Sequence, residues 1–340
     1  MSKTLAPIGI AGGGSWGTAL AQLIGRHGHA VLHWMRDSAS VLEVNTLHTN
    51  TRYLPDLTLS DHIVATTSLK ELASSCKLIL LVIPCHSFRS VLRELGEHLA
   101  GDHRLIHASK GFEPHSFKRM SQIILEETCV RQIGVLSGPN LAHEVAQGQP
   151  SATTVASNFP AVIEEARLVL AGPTFRVYGN ADIIGTEVGG ALKNVMAIAA
   201  GLAAGLGFGE NTKALLLTRG LAEIARFGAH WGAHPATFSG LSGIGDLMAT
   251  CFSPLSRNYR VGLQLAQGSS TEEITTTMKQ VAEGVNTTRA VYEYARRHDV
   301  YMPITDGVYQ IVHEGVGPHE VLAQLMDNNR FTHEDVHGWS

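Results

Sequence analysis

The 340-residue sequence is 44% hydrophobic and only 16% charged, and its 26 basic and 30 acidic residues give a formal net charge of −4. This composition excludes a charge-rich disordered protein, and the lack of a basic excess argues against a nucleic-acid-binding or polybasic membrane surface. The length predicts about two domains. The 35 glycines are clustered, with five among the first 17 residues and thirteen between residues 185 and 245.

The first half of the chain alternates short apolar runs with amphipathic stretches. The runs predict strands at residues 7–11, 30–35, 78–83, 104–108 and 132–136, with weaker candidates at 152–156 and 176–178. Helical spacing of apolar residues predicts helices at 15–27 and 86–99. Strands that alternate with helices indicate βαβ units and a parallel sheet.

After about residue 187 the alternation disappears and long helical stretches follow. They predict helices at residues 187–204, 212–230, 287–298 and 303–314. We therefore expect an α/β protein in which a Rossmann-type doubly wound domain (residues 1–188) precedes an all-α domain (residues 189–340). The uncharged run at 194–209 is shorter than the roughly 20 residues that span a membrane, so it predicts a buried helix.

Four cysteines (Cys76, Cys85, Cys129 and Cys251) lie far apart and form no CxxC pair, which predicts buried thiols in a reducing compartment. The first strand begins within ten residues of Met1, so we expect no signal peptide and a cytoplasmic location. The 18 histidines show no HExxH spacing. We therefore expect no metal site.

The first glycine cluster, residues 12–17 (GGGSWG), fits G-x-G-x-x-G between a predicted strand and a predicted helix. In this context Gly12 permits the tight turn, Gly14 lets the backbone approach a pyrophosphate, and Gly17 allows close packing of helix and strand. The helix N-terminus offers free N–H groups to the phosphates. Dinucleotide binding is favoured over a glycine-rich turn with no ligand.

The end of the second predicted strand carries both residue types that discriminate between dinucleotides. An acidic residue there binds the ribose hydroxyls of NAD, while an arginine accepts the 2′-phosphate of NADP. Arg36 precedes Asp37, and its planar guanidinium suits a phosphate. Because Arg36 comes before Asp37, the sequence favours NADP(H) as the cofactor and does not exclude NAD(H). The alternative is that Arg36 is a solvated charge in a loop.

Polar motifs interrupt the apolar second half. Lys193 is a lone lysine near the start of the most apolar predicted helix, and lysine is rarely buried without a partner. A glycine-rich loop at residues 240–246 ends in the carboxylate of Asp246. Residues 256–258 (Ser-Arg-Asn) suit a phosphate. The structural alternatives are a Lys193 that reaches solvent, a Ser256 N-cap, and an Asp246 that caps the next helix.

These motifs together resemble the bacterial NAD(P)-dependent glycerol-3-phosphate dehydrogenase family over nearly the whole chain. The resemblance rests on the glycine loop and on Ser109-Lys110-Gly111, Ser137-Gly138-Pro139, Gly190-Ala191-Leu192-Lys193-Asn194, residues 240–246, residues 253–258 and Glu283-Gly284. It implies reversible hydride transfer between dihydroxyacetone phosphate and sn-glycerol 3-phosphate. It also implies a role in supplying glycerol 3-phosphate for phospholipid synthesis.

The resemblance also implies residue roles. The catalytic group comprises Lys193, Lys110 and Asp246. The cofactor-binding positions are Gly12, Gly14, Ser15, Trp16, Gly17, Arg36, Lys110, Ala142, Arg257, Val281 and Glu283. The substrate-binding positions are Lys110, Gly138, Asn140, Lys193, Asp246, Ser256, Arg257 and Asn258. The family usually has Ser or Thr where Asn140 stands, so a backbone contact would survive there and a hydroxyl contact would not.

Ketone reduction needs a hydride from the cofactor and a proton donor, and a lysine ammonium can be that donor. Burial and a second cation, Lys110, would lower the pKa of Lys193, and Asp246 would oppose this and orient the ammonium. Arg257 is the predicted bidentate phosphate ligand.

Two alternative functions are weighed against this one. A β-hydroxyacid dehydrogenase or ketopantoate reductase lacks the Ser-Arg-Asn segment, and a dinucleotide-sensing regulator would not need these charged groups. The apolar helices permit a homodimer.

Overall fold

A computed structural model describes residues 6–114, 116–278 and 283–327. The chain divides into two units, the first containing the residues up to Ser109 and Lys118–Ile183, and the second containing Lys110–Phe117 and the residues from Ile184 onward. The segment Lys110–Phe117 thus belongs to the second unit, although the chain on both sides of it belongs to the first. The sequence-based boundary after residue 188 does not anticipate this segment.

The first unit contains a sheet of eight strands among the described residues, in the order β3-β2-β1-β4-β5-β6-β7-β8. The strands are β1 (Ile8–Ala11), β2 (Val31–Trp34), β3 (Ile63–Thr66), β4 (Leu78–Leu81), β5 (Arg104–His107), β6 (Gln132–Ser137), β7 (Ser151–Ala156) and β8 (Phe175–Asn180). The chain order reverses direction across the sheet beside β1, which is the doubly wound arrangement that the alternation predicted.

Helices cover both faces of this sheet. Because successive residues of a strand point to opposite faces, neighbouring residues of one strand pack against different helices. On β1, Ile10 packs against the core that includes Leu20, whereas Ala11 packs against the core that includes Phe88. The helices of the first unit are α1 (Ser15–Arg26), α2 (Ser38–Leu47), α3 (Leu69–Ser75), α4 (Cys85–Gly96), α5 (Met120–Glu127), α6 (Ala142–Gln147) and α7 (Pro160–Leu170).

The second unit is helical in its described residues. Its helices are α8 (Ile183–Gly205), α9 (Glu210–His230), α10 (Asp246–Phe252), α11 (Arg257–Ala266), α12 (Thr271–Thr277), α13 (Glu283–Arg297), α14 (Pro303–Tyr309) and α15 (Pro318–Met326), with a 3₁₀ turn at Pro235–Ser239 and π turns at Leu241–Gly245 and Gln310–Glu314. Helix α8 starts about one turn earlier than predicted. It is long and apolar enough to cross a bilayer, but 89% of its most apolar window is buried, as expected for a core helix.

Three details of the sequence-based prediction need correction. The sheet is not wholly parallel, because β7 pairs antiparallel with β6. Strand β3 was missed, and unlike the four-residue strands that were predicted it has an exposed apolar residue, Val64. The cysteines are not all buried: Cys129 is exposed and Cys85 is half-buried. Burial raises the pKa of the two buried thiols, Cys76 and Cys251, to about 12.

Candidate active site

The glycine loop between β1 and α1 has a backbone that side chains would obstruct. Gly12 adopts φ +133°, and a Cβ there would lie 2.2 Å from the carbonyl oxygen of Val82. A Cβ on Gly17 would lie 1.9 Å from the carbonyl oxygen of Gly12. Since atoms essentially never approach so closely, both positions require glycine.

The start of α1 suits a dinucleotide pyrophosphate. Gly14 is the N-cap residue, no side chain caps the helix, and the first turn contains no acidic residue. A Cβ on Gly14 would meet nothing within 4 Å, so space is open in front of the helix. Uncapped N–H groups and the partial positive charge of a helix N-terminus attract phosphate. These residues therefore fit the dinucleotide that the motif predicts.

A buried histidine braces this loop from β2. The Nε2 atom of His33 lies 2.9 Å from the carbonyl oxygen of Gly12, and the side chain is fully buried. Burial lowers the pKa of His33 to about 4, so the imidazole is neutral at neutral pH and donates its Nε2 proton to Gly12. Nothing in the sequence pattern pointed to this contact, because His33 is part of an otherwise apolar strand.

Two other predicted cofactor positions of the first unit pack near each other. Trp16 and Ala142 are both half-buried against the small apolar cluster of Ala19, Leu54 and Ala146. The hydroxyl of Ser15 donates a hydrogen bond to the carbonyl oxygen of Tyr53 at 3.2 Å. The first turns of α1 and α6 thus meet, which brings together cofactor positions that are more than 120 residues apart in the sequence.

Arg36 and Asp37 have different structural roles after β2. The Asp37 carboxylate caps α2, accepting hydrogen bonds from the backbone N–H groups of Ala39 and Ser40 and from the Ser40 hydroxyl. The Ser40 hydroxyl and these N–H groups hold the pKa of Asp37 below its usual value. Arg36 is exposed. The acidic residue is therefore used within the protein, and the guanidinium faces solvent.

Gly138 and Asn140 follow β6 in the first unit. Gly138 adopts φ +155°, and the Asn140 amide donates to the carbonyl oxygens of Pro139 and Ala152 at 3.1 and 2.9 Å. The Asn140 Oδ1 atom is buried and has no partner among the described residues. The amide therefore fixes the turn after β6, a role that a serine or threonine hydroxyl could not fill with two donated hydrogen bonds.

The second unit holds a buried group of two lysines and one carboxylate, here called the Lys–Asp–Lys cluster (Lys110, Lys193 and Asp246). The ammonium of Lys193 donates to Oδ1 of Asp246, and the ammonium of Lys110 donates to Oδ2 of the same carboxylate at 2.6 Å. The Asp246 and Lys193 side chains are 2% and 8% exposed, and that of Lys110 is 20% exposed. The structure thus places all three predicted catalytic residues in contact.

Local backbone geometry makes the cluster possible. Lys193 lies in the middle of α8, not at its start, and Asp246 is the first residue of α10. A Cβ on Gly189, one turn before Lys193, would lie 2.5 Å from the carbonyl oxygen of Ser242, so only glycine lets the π turn before α10 approach α8. The two structural alternatives are wrong here, since Lys193 does not reach solvent and the Asp246 side chain binds lysines instead of capping a helix.

Burial and neighbouring charge set the protonation of the cluster. Burial lowers the pKa of Lys193 to about 7, the Asp246 charge opposes this, and the Lys110 charge assists it. Burial pushes the pKa of Asp246 upward, but the two ammonium groups outweigh it and leave that pKa below its ordinary value. A carboxylate shared by two ammonium groups stays ionised, and a lysine pKa shifted this strongly by burial marks a candidate functional site.

Thr250 is a cluster residue that the sequence analysis missed. Its hydroxyl accepts a hydrogen bond from Lys193 at 2.8 Å and donates one to the backbone carbonyl of Asp246 at 2.7 Å. The spacing of four residues on α10 was the available signal, since it places Thr250 on the same helix face as Asp246. Asp246 and Thr250 accept two of the three ammonium protons of Lys193, and the described residues show no protein acceptor for the third.

The three residues of the Ser-Arg-Asn segment lie at the start of α11 and have different structural roles. Ser256 is the N-cap, and its hydroxyl accepts from the N–H of Tyr259, as one of the structural alternatives anticipated. The buried Asn258 donates to the side chain of Asn194 at 2.9 Å and accepts from the N–H of Gly284 at 3.0 Å. Arg257 is exposed on the same first turn. Of the three residues, Arg257 is thus the exposed one, and Ser256 and Asn258 are buried.

The remaining predicted positions lie around α13. Glu283 is the first residue of that helix and is half-buried. Val281 lies outside the described residues. Asn194, which the sequence analysis did not single out, links the lysine-bearing helix α8 to Asn258 and through it to Gly284. The side-chain amide of Asn258 on α11 thus joins α8, through the neighbour of Lys193, to α13.

Comparison with known proteins gives consistent relatives for both halves of the chain. Family models described as the N-terminus and the C-terminus of NAD-dependent glycerol-3-phosphate dehydrogenase match residues 7–162 and 182–323. A glycerol-3-phosphate dehydrogenase (NAD(P)+) from Acinetobacter baumannii is 45% identical over 326 residues, covering 96% of this chain and 91% of the relative. One from Bacillus thuringiensis is also 45% identical, with 95% and 96% covered. The crystal structure of glycerol-3-phosphate dehydrogenase from Coxiella burnetii superposes with a TM-score of 0.91 at 36% identity, covering 96% of this chain and 100% of that one.

Proposed function

Because this chain belongs to the NAD-dependent glycerol-3-phosphate dehydrogenase family, we propose that it reduces dihydroxyacetone phosphate reversibly to sn-glycerol 3-phosphate with NADPH or NADH. The observation that carries the chemistry is the buried Lys–Asp–Lys cluster. A regulator that only senses a dinucleotide has no need for two ammonium groups on one buried carboxylate. A dinucleotide held at the glycine loop would supply or accept the hydride.

Lys193 is the proposed proton donor in the reducing direction. Asp246 and Thr250 hold its ammonium in place, and one N–H is left to point at the substrate's carbonyl oxygen. As negative charge develops on that oxygen, the ammonium stabilises it and transfers its proton. In the oxidising direction, neutral Lys193 takes the hydroxyl proton, which its lowered pKa permits near neutral pH.

Lys110 and the first turn of α11 are the proposed anion-binding groups. The proposed role of the partly exposed ammonium of Lys110 is to contact both substrate and cofactor while it remains on Asp246. Arg257 is the proposed phosphate ligand, and Ser256 and Asn258 fix the turn that carries it. Gly138, Asn140 and Glu283 remain proposed binding positions, and Val281 is proposed on the resemblance alone.

Replacement of Arg257 tests the phosphate assignment. We expect Arg257→Ala to lower kcat/KM for dihydroxyacetone phosphate by at least about tenfold, because a charge-assisted contact to phosphate is lost. The same variant should leave the low activity towards phosphate-free dihydroxyacetone nearly unchanged. Steady-state kinetics with both ketones measures the difference, and Arg260→Ala, which removes an exposed arginine one turn further along α11, is the matched control. Equal losses for the two ketones would remove Arg257 from phosphate binding.

Exchange of Arg36 tests the cofactor preference, which we propose to be NADP(H). We expect Arg36→Asp to shift the ratio of kcat/KM for NADPH to that for NADH towards NADH by about tenfold or more, because a cation beside the 2′-phosphate becomes an anion. Arg26→Asp, at the C-terminal end of α1 and away from the glycine loop, is the control for the change in net charge. An unchanged ratio contradicts the 2′-phosphate role.

The cellular part of the proposal follows the family resemblance. We propose that the enzyme works in the cytoplasm, in the direction of glycerol 3-phosphate for phospholipid synthesis, and as a homodimer. The absence of a disulfide among the described cysteines is compatible with a reducing compartment. The deciding experiment for the reaction itself is a steady-state assay of dihydroxyacetone phosphate with NADPH and NADH in parallel, and light scattering measures the subunit number.

A further inference from the structure

The segment that carries Lys110 is held on the second unit by aromatic rings. We call residues 110–117 the strap, of which all but residue 115 are described. The Phe112 ring lies 5.6 Å from the ring of Trp231 and 6.1 Å from that of Phe227. The Phe117 ring lies 4.9 Å from that of Tyr294. Both anchoring rings of the strap thus enter one aromatic cluster built by α9, α13 and the residue after α9.

The backbone of the strap is strained at the second anchor. Phe117 adopts φ +61°, a left-handed conformation that is a true outlier for a bulky residue. Its ring stacks on that of Phe112 with centroids 5.4 Å apart and planes 27° apart. Such strain persists only where the surroundings over-determine it, and it concentrates at functional sites. A purely space-filling role would not require an aromatic residue in this conformation.

The anchors lie close to the charged end of the strap. Phe112 is 5% exposed and comes only two residues after Lys110, so its fixed ring limits the position of the Lys110 backbone to within a few ångströms. Lysine has a long flexible side chain that loses much rotamer freedom when it is held. Its ammonium nevertheless lies 2.6 Å from Asp246. A fixed backbone removes part of the freedom that would otherwise oppose this contact.

We propose that the Phe112–Phe117 pair and the rings around it are positioning residues that hold the Lys110 ammonium on Asp246, and so complete the cluster before substrate arrives. The inference rests on the proposed function for its catalytic consequence, because Lys110 matters only if the cluster acts on a substrate. It goes beyond that function because it assigns a role to aromatic rings outside the Lys–Asp–Lys cluster. Positioned groups lower the barrier because their orientation is set in advance.

The test asks whether the rings act through Lys110. We expect Phe112→Leu and Phe117→Leu each to lower kcat/KM for dihydroxyacetone phosphate by about tenfold in the wild-type background. In the Lys110→Met background each should have less than about a twofold effect, because residues that act through a shared group are not additive. Ile224→Ala, a cavity in the same hydrophobic core, controls for lost stability and should leave kcat/KM within about twofold.

A second readout does not depend on activity. Limited trypsin digestion of the folded protein should cleave after Lys110 or Lys118 several times faster in the ring variants than in the wild type or in Ile224→Ala. Phe117→Gly, which accepts φ +61° without strain, replaces Phe117→Leu if the latter does not fold. Additive losses in the Lys110→Met background, or unchanged cleavage, overturn the inference. An inactive wild type with faster cleavage in the variants would instead refute the proposed function and leave the anchoring of the strap supported.

Discussion

Lys193→Met is expected to lower kcat for ketone reduction by about 10²- to 10⁴-fold while leaving the protein folded, since that is the usual contribution of a positioned general acid. The methionine replaces the apolar stem of a side chain that is only 8% exposed, and it lacks the ammonium group. Removal of the ammonium leaves Asp246 paired with Lys110, so no buried charge is left without a partner. Stopped-flow and steady-state measurements with saturating NADPH and dihydroxyacetone phosphate give the effect on kcat.

The pH dependence of the two reaction directions tests the role of Lys193 independently. Reduction requires protonated Lys193, and burial lowers the pKa of this lysine to about 7. The rate of reduction should therefore fall as the pH rises through about 7, while the rate of glycerol 3-phosphate oxidation, which needs the neutral amine, should rise. With the ordinary pKa of a lysine, this fall and this rise in rate would occur only near pH 10.4. Both should be absent from the residual activity of Lys193→Met.

A surface lysine of the same unit provides the control. Lys213 pairs with Glu210 at 2.7 Å, and Glu210 is 83% exposed. Lys213→Met should leave kcat and its pH profile within about twofold of wild type, because exposed pairs contribute little. Dinucleotide affinity, followed by NADPH fluorescence, should be similar in both variants. Near-wild-type kcat in a folded Lys193→Met enzyme would remove Lys193 from the mechanism.

The sequence predicted those parts of the fold that are determined by a local periodic pattern of apolar residues. The strand–glycine loop–helix of residues 7–27 was predicted almost to the residue, because three glycines and two short apolar patterns determine it together. Strand β7 runs antiparallel to its neighbour β6, although a helix, α6, lies between the two strands in the chain. Neither propensity nor period encodes the direction in which a strand runs. For this reason the predicted parallel sheet is correct except at the pair of β6 and β7.

The site shows the same division between local and long-range information. Ser256 was recognised as an N-cap candidate because a cap is defined within four residues. The contact between Lys193 and Asp246 spans 53 residues, and its expectation came from the family resemblance. The strap could not have been predicted. Its membership of the second unit depends on ring contacts with Trp231 and Tyr294, more than 100 residues further along the chain.

Asp246→Asn should have the largest combined effect on activity and stability, because it removes the one carboxylate that two lysines share. Leaving a buried charge without its partner typically costs about 3–5 kcal/mol, so we expect the free energy of unfolding to fall by about that amount at a pH well below 7. At pH 7.5 the loss should be smaller, because Lys193 is then mostly neutral. Loss of the carboxylate also removes the charge that raises the pKa of Lys193. The alkaline limb of the reduction should therefore move to lower pH, and kcat at pH 7.5 should drop by about 10²-fold or more.

A double-mutant cycle separates this buried pair from ordinary surface electrostatics. Lys193→Met combined with Asp246→Asn should be more stable than the sum of the two single changes predicts, with a coupling of at least about 1.5 kcal/mol, because the double variant has no buried ion pair left to break. The cycle of Lys213→Met and Glu210→Gln on the surface pair should give less than about 1 kcal/mol. Urea unfolding supplies the four stabilities of each cycle. If both cycles give the same small coupling, Asp246 does not hold Lys193 in the folded protein, and a loss of activity in Asp246→Asn would then have to come from its contact with Lys110 at 2.6 Å.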